Sequence, residues 1–144
     1  MEKQKILING TRLQQTIEEF ADFGRTENNG VTRLALSDMD IQVRHHFRKK
    51  CEELGMTVVW DDMGSMYATL EGEDNSKPPV VIGSHLDSVE RGGRFDGVLG
   101  VLTGLEIVRT MVDHHIKPKV PVVIANNTNE EGARFEPSMM ASGV

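Results

Sequence analysis

Four carboxylates and one imidazole lie in two short segments of this chain, and each segment begins directly after an apolar run. The first segment carries His85, Asp87 and Asp96, and the second carries the adjacent pair Glu130 and Glu131. That many unpaired acidic groups in one place would repel one another, and burying them would cost several kcal/mol each. Lysine or arginine could offset the charge, but so could a divalent metal ion, and imidazole with carboxylate suits zinc, manganese or cobalt.

A metal site of this composition would suit hydrolysis. A carboxylate that bridges two ions about 3.5–4 Å apart is the usual basis of a two-metal site, which lowers the pKa of bound water to about 7 and polarises a carbonyl group. A free carboxylate beside it can take the water's proton and pass it to a leaving nitrogen. Glu130 and Glu131 suit these two roles, metal ligand and proton carrier, because neighbouring side chains point in different directions. The residues alone leave open which of the two binds metal. Asp96 is flanked by glycines that would permit a tight backbone between two ions: Gly92, Gly93 and Gly97.

The apolar runs before the two segments predict a βαβ unit. Residues 80–84 (VVIGS) predict a strand buried on both faces, residues 97–115 a largely buried helix, and residues 120–127 (VPVVIANN) a second buried strand. Strand, helix and strand joined by short links form a right-handed crossover in a parallel sheet. Ligands bind beyond the carboxyl ends of such strands. The predicted topology therefore brings both acidic segments to one edge of the sheet.

Two helices and a hairpin are predicted before this unit. Residues 11–24 space apolar side chains at helical intervals, with Thr11 as the N-cap. Residues 37–55 predict a second helix that begins at Ser37 with a capping-box-like pattern. Residues 56–72 predict two short strands joined by a tight turn. The fold class expected from this order is α/β, with a mostly parallel sheet and helices on both faces.

Composition narrows the class of protein. The 144 residues suit one domain, and the net charge of −6 with a pI near 5.3 argues against a nucleic-acid or anionic-membrane surface. No apolar run approaches the roughly 18 residues of a membrane span, and the N-terminus is too polar for a secretory signal. The single cysteine, Cys51, fits a reducing compartment. We therefore expect a cytoplasmic protein.

Ordinary explanations also exist for these residues and for the other histidines. His85 alone could be a capping histidine, and Glu130-Glu131 alone could be the solvated start of a helix. His45-His46 is expected on a solvated helix face, and His114-His115 at a helix C-terminus, where imidazolium suits the dipole. Cys51 falls on an apolar helix stripe and is expected in the core. The metal interpretation is favoured because both acidic segments fall at strand ends of one βαβ unit.

The same segments resemble a known family. Residues 83–106 (GSHLDSVERGGRFDGVLGVLTGLE) and 128–144 (TNEEGARFEPSMMASGV) closely resemble the N-carbamoyl-L-amino acid hydrolase and allantoate amidohydrolase group, which includes β-ureidopropionases of the same type. This group belongs to the superfamily of dinuclear zinc aminoacylases, deacetylases and exopeptidases. The resemblance extends over nearly the whole chain, and the motifs GGRFDG and NEEGARF point to the carbamoylase branch.

The resemblance implies a role for each residue of the two segments. His85 would bind one metal ion, Asp96 would bridge both, and Glu131 would bind the second. Glu130 would be the general acid and base, and Asp87 would stand behind His85 and fix its orientation. The cofactors would be two divalent metal ions, zinc or manganese, with cobalt or nickel as further options.

The resemblance also implies how the chain fits into a larger enzyme. Residues 1–144 would be the N-terminal part of a zinc-exopeptidase-like catalytic domain, with a lid-like dimerisation domain and two further histidine ligands outside this chain. The intact enzyme would be a homodimer. One departure concerns Asn126-Asn127, where the family tends to carry an apolar or aromatic residue before Thr128. Polar side chains at the end of a buried strand need hydrogen-bond partners.

The expected function is hydrolysis of linear C–N amide bonds in N-carbamoyl-L-amino acids or allantoate by metal-activated water. One alternative is an aminoacylase or dipeptidase of the same superfamily, which a substrate panel would separate. A second is a truncated remnant that binds metal weakly, or a partner, and turns nothing over. A third is a purely structural α/β module, in which removing His85 and Asp96 would relieve charge repulsion and leave metal binding unchanged.

Overall fold

The computed structural model describes residues 5–143 and confirms the α/β class. None of the described helices has the length and apolar character needed to cross a membrane. The elements follow one another in this order: α1 (Gly10–Ala21), α2 (Asp38–Glu52), β1 (Thr57–Trp60), β2 (Met66–Leu70), β3 (Val80–His85), α3 (Val98–Asp113) and β4 (Val122–Asn127).

The starts of the first two helices follow from side-chain caps. The prediction of Thr11 as the N-cap of α1 is wrong, because Asn9 occupies that position and its side chain accepts a hydrogen bond from the Arg12 N–H at 3.0 Å. Asparagine is among the best N-caps, so the helix begins two residues earlier than predicted. The prediction of Ser37 as the N-cap of α2 is confirmed, since its hydroxyl accepts from the Asp40 N–H.

The sheet is mixed and has the strand order β1-β2-β4-β3. The parallel pair β3 and β4, connected through α3, confirms the βαβ unit. Strands β1 and β2 form the predicted hairpin, and β2 pairs antiparallel with β4. Two strands joined by a tight turn must run antiparallel. Within the described residues, one strand pairing is parallel and two are antiparallel, whereas a mostly parallel sheet was predicted.

One face of the sheet carries the helices of this chain. Side chains of all three helices pack in a single core against strand residues of one face, namely Met66, Ala68, Val122 and Ile124. On the opposite face Val59 is 54% exposed and Val81 is 59% exposed. Of the helix layers expected on both faces, the described residues supply one. The prediction that β3 is buried on both faces is wrong for residues 5–143, in which β3 is an edge strand and no other element covers its outer face.

The parallel pair places the two acidic segments side by side. His85 is the last residue of β3, Asn127 is the last residue of β4, and the two are directly paired in register. Both strands therefore end at the same edge of the sheet. The segments that follow them, which carry the predicted functional residues, leave the sheet from adjacent positions.

Candidate metal centre

Three of the predicted site residues converge at this edge. One ligand atom each from His85, Asp96 and Glu131 lies within 4.8 Å of the other two. His85 is buried, Glu131 is half-buried and Asp96 is exposed, so the group opens to solvent on one side. One imidazole with two carboxylates is a suitable donor set for zinc, manganese or cobalt. The structure thus brings together the three residues that the sequence suggested as metal ligands.

A hydrogen bond selects the tautomer of the His85 ring. Nδ1 lies 2.8 Å from the main-chain carbonyl oxygen of Asp87. A carbonyl oxygen only accepts, so Nδ1 carries the proton and the neutral ring keeps its lone pair on Nε2. Nε2 in turn lies 3.4 Å from Oε2 of Glu130. Two lone-pair acceptors at this distance repel each other unless a proton or a cation lies between them.

Asp87 joins the segment after β3 to the segment after β4. The orienting contact to His85 comes from the Asp87 carbonyl, because the carboxylate Oδ1 is 3.7 Å from Nδ1. The carboxylate instead accepts hydrogen bonds from the backbone N–H groups of Glu130 and Glu131, both at 3.3 Å. Asp87 is only 1% exposed. Its side chain therefore fixes the backbone from which both glutamates project.

The two glutamates differ in their surroundings. Glu131 belongs to the converging group, whereas Glu130 faces His85 Nε2 and keeps a side chain that is 32% exposed. Burial raises the pKa of Glu131, and the negative charge of Asp96 raises it further, against an opposing effect of His85. The group therefore places the negative charge of two carboxylates, Asp96 and Glu131, beside a single imidazole. A bound cation would offset it.

Gly97 lets the start of α3 approach the histidine. It has a φ of 69°, in the left-handed region that favours glycine, and a Cβ at this position would overlap the His85 ring. Because Asp96 directly precedes Gly97, this close approach also brings the Asp96 carboxylate to the centre. The tight backbone expected around Asp96 is thus present at Gly97. At Gly93, by contrast, a Cβ would meet open space.

Two buried polar residues next to the centre were not among the predicted site residues. Asn126 accepts a hydrogen bond from the Leu86 N–H at 2.8 Å through Oδ1, and its Nδ2 lies 3.6 Å from the Met66 sulfur. This amide therefore has the partners that a buried polar group needs. Arg33 is 1% exposed and donates to the Leu86 carbonyl at 2.7 Å. The residues around Arg33 in the sequence are mostly apolar and give no signal of this contact. Asn126 could have been noticed, because asparagine is unusual in a strand predicted to be buried.

The remaining histidines and the cysteine lie away from the centre. His45 is exposed as expected, but His46 is half-buried between Phe20 and Phe23, with Nε2 2.8 Å from Oε1 of Glu19. Cys51 lies in the core, which confirms its structural assignment, and burial raises the pKa of its thiol to about 12. None of these groups belongs to the cluster of potential metal ligands found in residues 5–143.

The fold and this edge of the sheet define an α/β protein with a candidate metal centre at the carboxyl ends of parallel strands. Peptidase family M28 matches residues 65–141, which is just over half of the chain. The chain therefore belongs to Peptidase family M28, and the resemblance noted from its motifs is confirmed.

Relatives within this family support the carbamoylase branch. The chain is 51% identical over 137 residues to an N-carbamoyl-L-amino-acid amidohydrolase of Rhizobium meliloti, covering 95% of this chain and 33% of the relative. It is 29% identical over 143 residues to an allantoate amidohydrolase of Bacillus subtilis, covering 99% of this chain and 34% of the relative. A hydantoinase/carbamoylase family amidase from Burkholderia ambifaria superposes with a TM-score of 0.95 at 48% identity, covering 96% of this chain and 34% of that structure. The chain spans about a third of the length of these relatives.

Proposed function

We propose that the protein carrying this chain is a metal-dependent amidohydrolase that cleaves linear C–N amide bonds of N-carbamoyl-L-amino acids or allantoate. The observation that carries this proposal is the convergence of His85, Asp96 and Glu131 at the carboxyl edge of the sheet. The names of the relatives support the substrate class, because they include both carbamoyl-amino-acid and allantoate amidohydrolases.

The cofactors in this proposal are two divalent metal ions, zinc or manganese, with cobalt or nickel also compatible. His85 would bind one ion through Nε2, Glu131 would bind the other, and Asp96 would bridge them. The donor set fits such ions, and the raised pKa of Glu131, caused first by burial and then by Asp96, supports a cation here. When bound, the ions would polarise the carbonyl of the scissile amide and activate water.

Glu130 is the proton carrier in this proposal. Its side chain is part-exposed, so it can reach a substrate, while its backbone is held by the Asp87 carboxylate. The carboxylate would take a proton from the attacking water and deliver it to the leaving nitrogen. Asp87 would act on the reaction indirectly, by holding the His85 ring through its carbonyl and both glutamates through its carboxylate.

The larger context of the site is also part of the proposal. From the family resemblance we infer that residues 1–144 form the N-terminal part of a catalytic domain, and the coverage of about a third of the relatives is compatible with this. Further ligands, a lid domain and a homodimer interface would belong to the rest of a longer protein. The compartment we propose is the cytoplasm, and the substrate is a small molecule.

Two matched variants test this assignment of roles. Glu130→Gln should abolish turnover and leave metal bound, whereas Glu131→Gln should lose metal and turnover together. The panel of substrates should contain N-carbamoyl-L-amino acids, allantoate, N-acetyl amino acids and dipeptides, measured on the purified protein. Turnover of only the last two would replace the proposal by an aminoacylase or dipeptidase. Loss of metal in Glu130→Gln would make Glu130 a ligand instead.

A further inference from the structure

Arg33 is a buried cation directly behind the candidate metal centre. Its guanidinium donates to three main-chain carbonyl oxygens, those of Leu86 at 2.7 Å, Phe20 at 2.9 Å and Phe23 at 2.8 Å. No carboxylate of the described residues forms an ion pair with it at 4.0 Å or less. Burying a cation without a direct counter-ion is costly, so its retention calls for a physical reason.

The carbonyl of Leu86 is the contact that links Arg33 to the centre, because Leu86 lies between His85 and Asp87. The Leu86 peptide groups are held on both sides, with Asn126 accepting from its N–H at 2.8 Å and Arg33 donating to its carbonyl. The main chain of Arg33 also forms two hydrogen bonds with Ser88. Its N–H donates to the Ser88 hydroxyl, and its carbonyl accepts from the Ser88 N–H, both at 2.8 Å. Arg33 therefore contacts the chain on both sides of Asp87.

Arg33 keeps its positive charge although it is buried. Burial lowers the pKa of the guanidinium to about 10, and the negative charges of Asp40 and Asp87 oppose that effect. The group therefore stays positive at neutral pH, and the Asp87 carboxylate is one of the negative charges that act on it. That carboxylate is the one that holds the backbone N–H groups of Glu130 and Glu131.

We propose that Arg33 is a positioning residue of the metal centre, which fixes the segment from His85 to Ser88 through its bonds to Leu86 and Ser88. This inference rests on the function proposed above. Lysine could keep the charge, but its three donors share one nitrogen on a flexible chain, so it cannot reach three separate carbonyl oxygens as the planar guanidinium does. The expected order of metal affinity is therefore arginine, then lysine, then methionine at position 33.

The test is the zinc dissociation constant of the purified protein, measured by competition with a chelator. The variants are Arg33→Lys and Arg33→Met, with Arg44→Lys and Arg44→Met as controls. Arg44 is equally buried, but it bonds to Asp40 at 2.7 Å and to the Gly64 carbonyl, not to the segment after β3. We expect Arg33→Met to weaken zinc binding roughly 10- to 100-fold, in the range of residues that orient metal ligands. The Arg44 variants should lower thermal stability and leave the zinc affinity unchanged.

The outcomes separate this inference from the proposed function. Zinc affinity at the wild-type level in both Arg33 variants, or an equal loss in the Arg33 and Arg44 series, would overturn the positioning role. If Arg33→Met does not fold, Arg33→Lys decides alone, because it keeps the charge and still loses the fork. If the wild-type protein binds no zinc, or binds zinc no more tightly than the His85→Ala variant does, the proposed metal centre itself is overturned.

Discussion

Gly97 lies directly against the imidazole of His85, so closely that a Cβ at position 97 would overlap Cε1 and Nε2 of the ring. This contact couples the first residue before α3 to the last residue of β3. Because Nε2 is the nitrogen available to a metal, a side chain at position 97 would occupy space next to the ligand atom itself. The absence of a side chain at this position is thus a requirement of the site as well as of the backbone.

The substitution Gly97→Ala should therefore damage metal binding. The added methyl group would displace the His85 ring, and the φ of 69° would cost a non-glycine residue a further ~1–3 kcal/mol. Metal content and thermal unfolding are the measurements. Gly93→Ala is the control in the same loop, since a Cβ there meets nothing within 4 Å. Equal metal content in both variants would contradict the proposed position of the ligand.

Asp87→Asn should weaken metal binding without changing the shape of the side chain. An amide presents one acceptor oxygen, so one of the N–H groups of Glu130 and Glu131 would face an NH2 group instead. We expect a loss of roughly 10- to 100-fold in metal affinity. Asp61→Asn is a control away from the centre, because Asp61 also accepts from two backbone N–H groups, those of Met63 and Ser65, both through Oδ1 in the hairpin turn. An identical effect of both variants on metal affinity would show that the Asp87 contacts are merely structural.

Asn126→Leu should destabilise the protein. The leucine would have nearly the same size, but it would leave the buried Leu86 N–H without its acceptor. Such an unsatisfied group costs about 1–3 kcal/mol, which denaturant unfolding can measure. The control is Asn127→Leu, because the half-buried Asn127 makes no side-chain hydrogen bond within the described part of the chain. A larger loss for Asn127→Leu than for Asn126→Leu would run against this account.

The buried thiol of Cys51 should make stability fall at alkaline pH. Burial raises its pKa from 9.0 to about 12 in the folded protein, so between these values the unfolded chain releases a proton that the folded chain retains. This contribution to stability is complete below pH 9.0 and decreases by up to about 1.4 kcal/mol per pH unit above it. The measurement is the free energy of unfolding against pH for wild type and Cys51→Ala. A wild-type profile no steeper than that of the variant would contradict the prediction.

Local patterns predicted the elements that position the site. The hydroxyl of Ser37 and the apolar spacing of residues 98–113 act over one or two helical turns, so the sequence displays them directly. The convergence of His85 and Glu131 followed from topology, because parallel strands joined by a helix end at one edge. Knowledge of which glutamate binds metal came from the family resemblance and stays a proposal.

Contacts between distant parts of the chain could not be predicted. The Arg33 bond to Leu86 spans 53 positions, and the Asp87 bonds to the glutamate backbone span 43 and 44. Nothing in the local sequence distinguishes a buried arginine from a solvated one. The exposure of Val81 was missed for a related reason, since an apolar strand looks the same in sequence at a sheet's centre and at its edge.

Metal content of the purified protein, determined by elemental analysis, tests the central claim most directly. The wild type should be compared with the double variant His85→Ala/Asp96→Ala and with the control His45→Ala/Asp62→Ala, which removes an exposed histidine and an exposed aspartate outside the centre. The account predicts stoichiometric zinc or manganese in the wild type and in the control, and its loss in the double variant. Metal retained by the double variant, or none in the wild type, would contradict it.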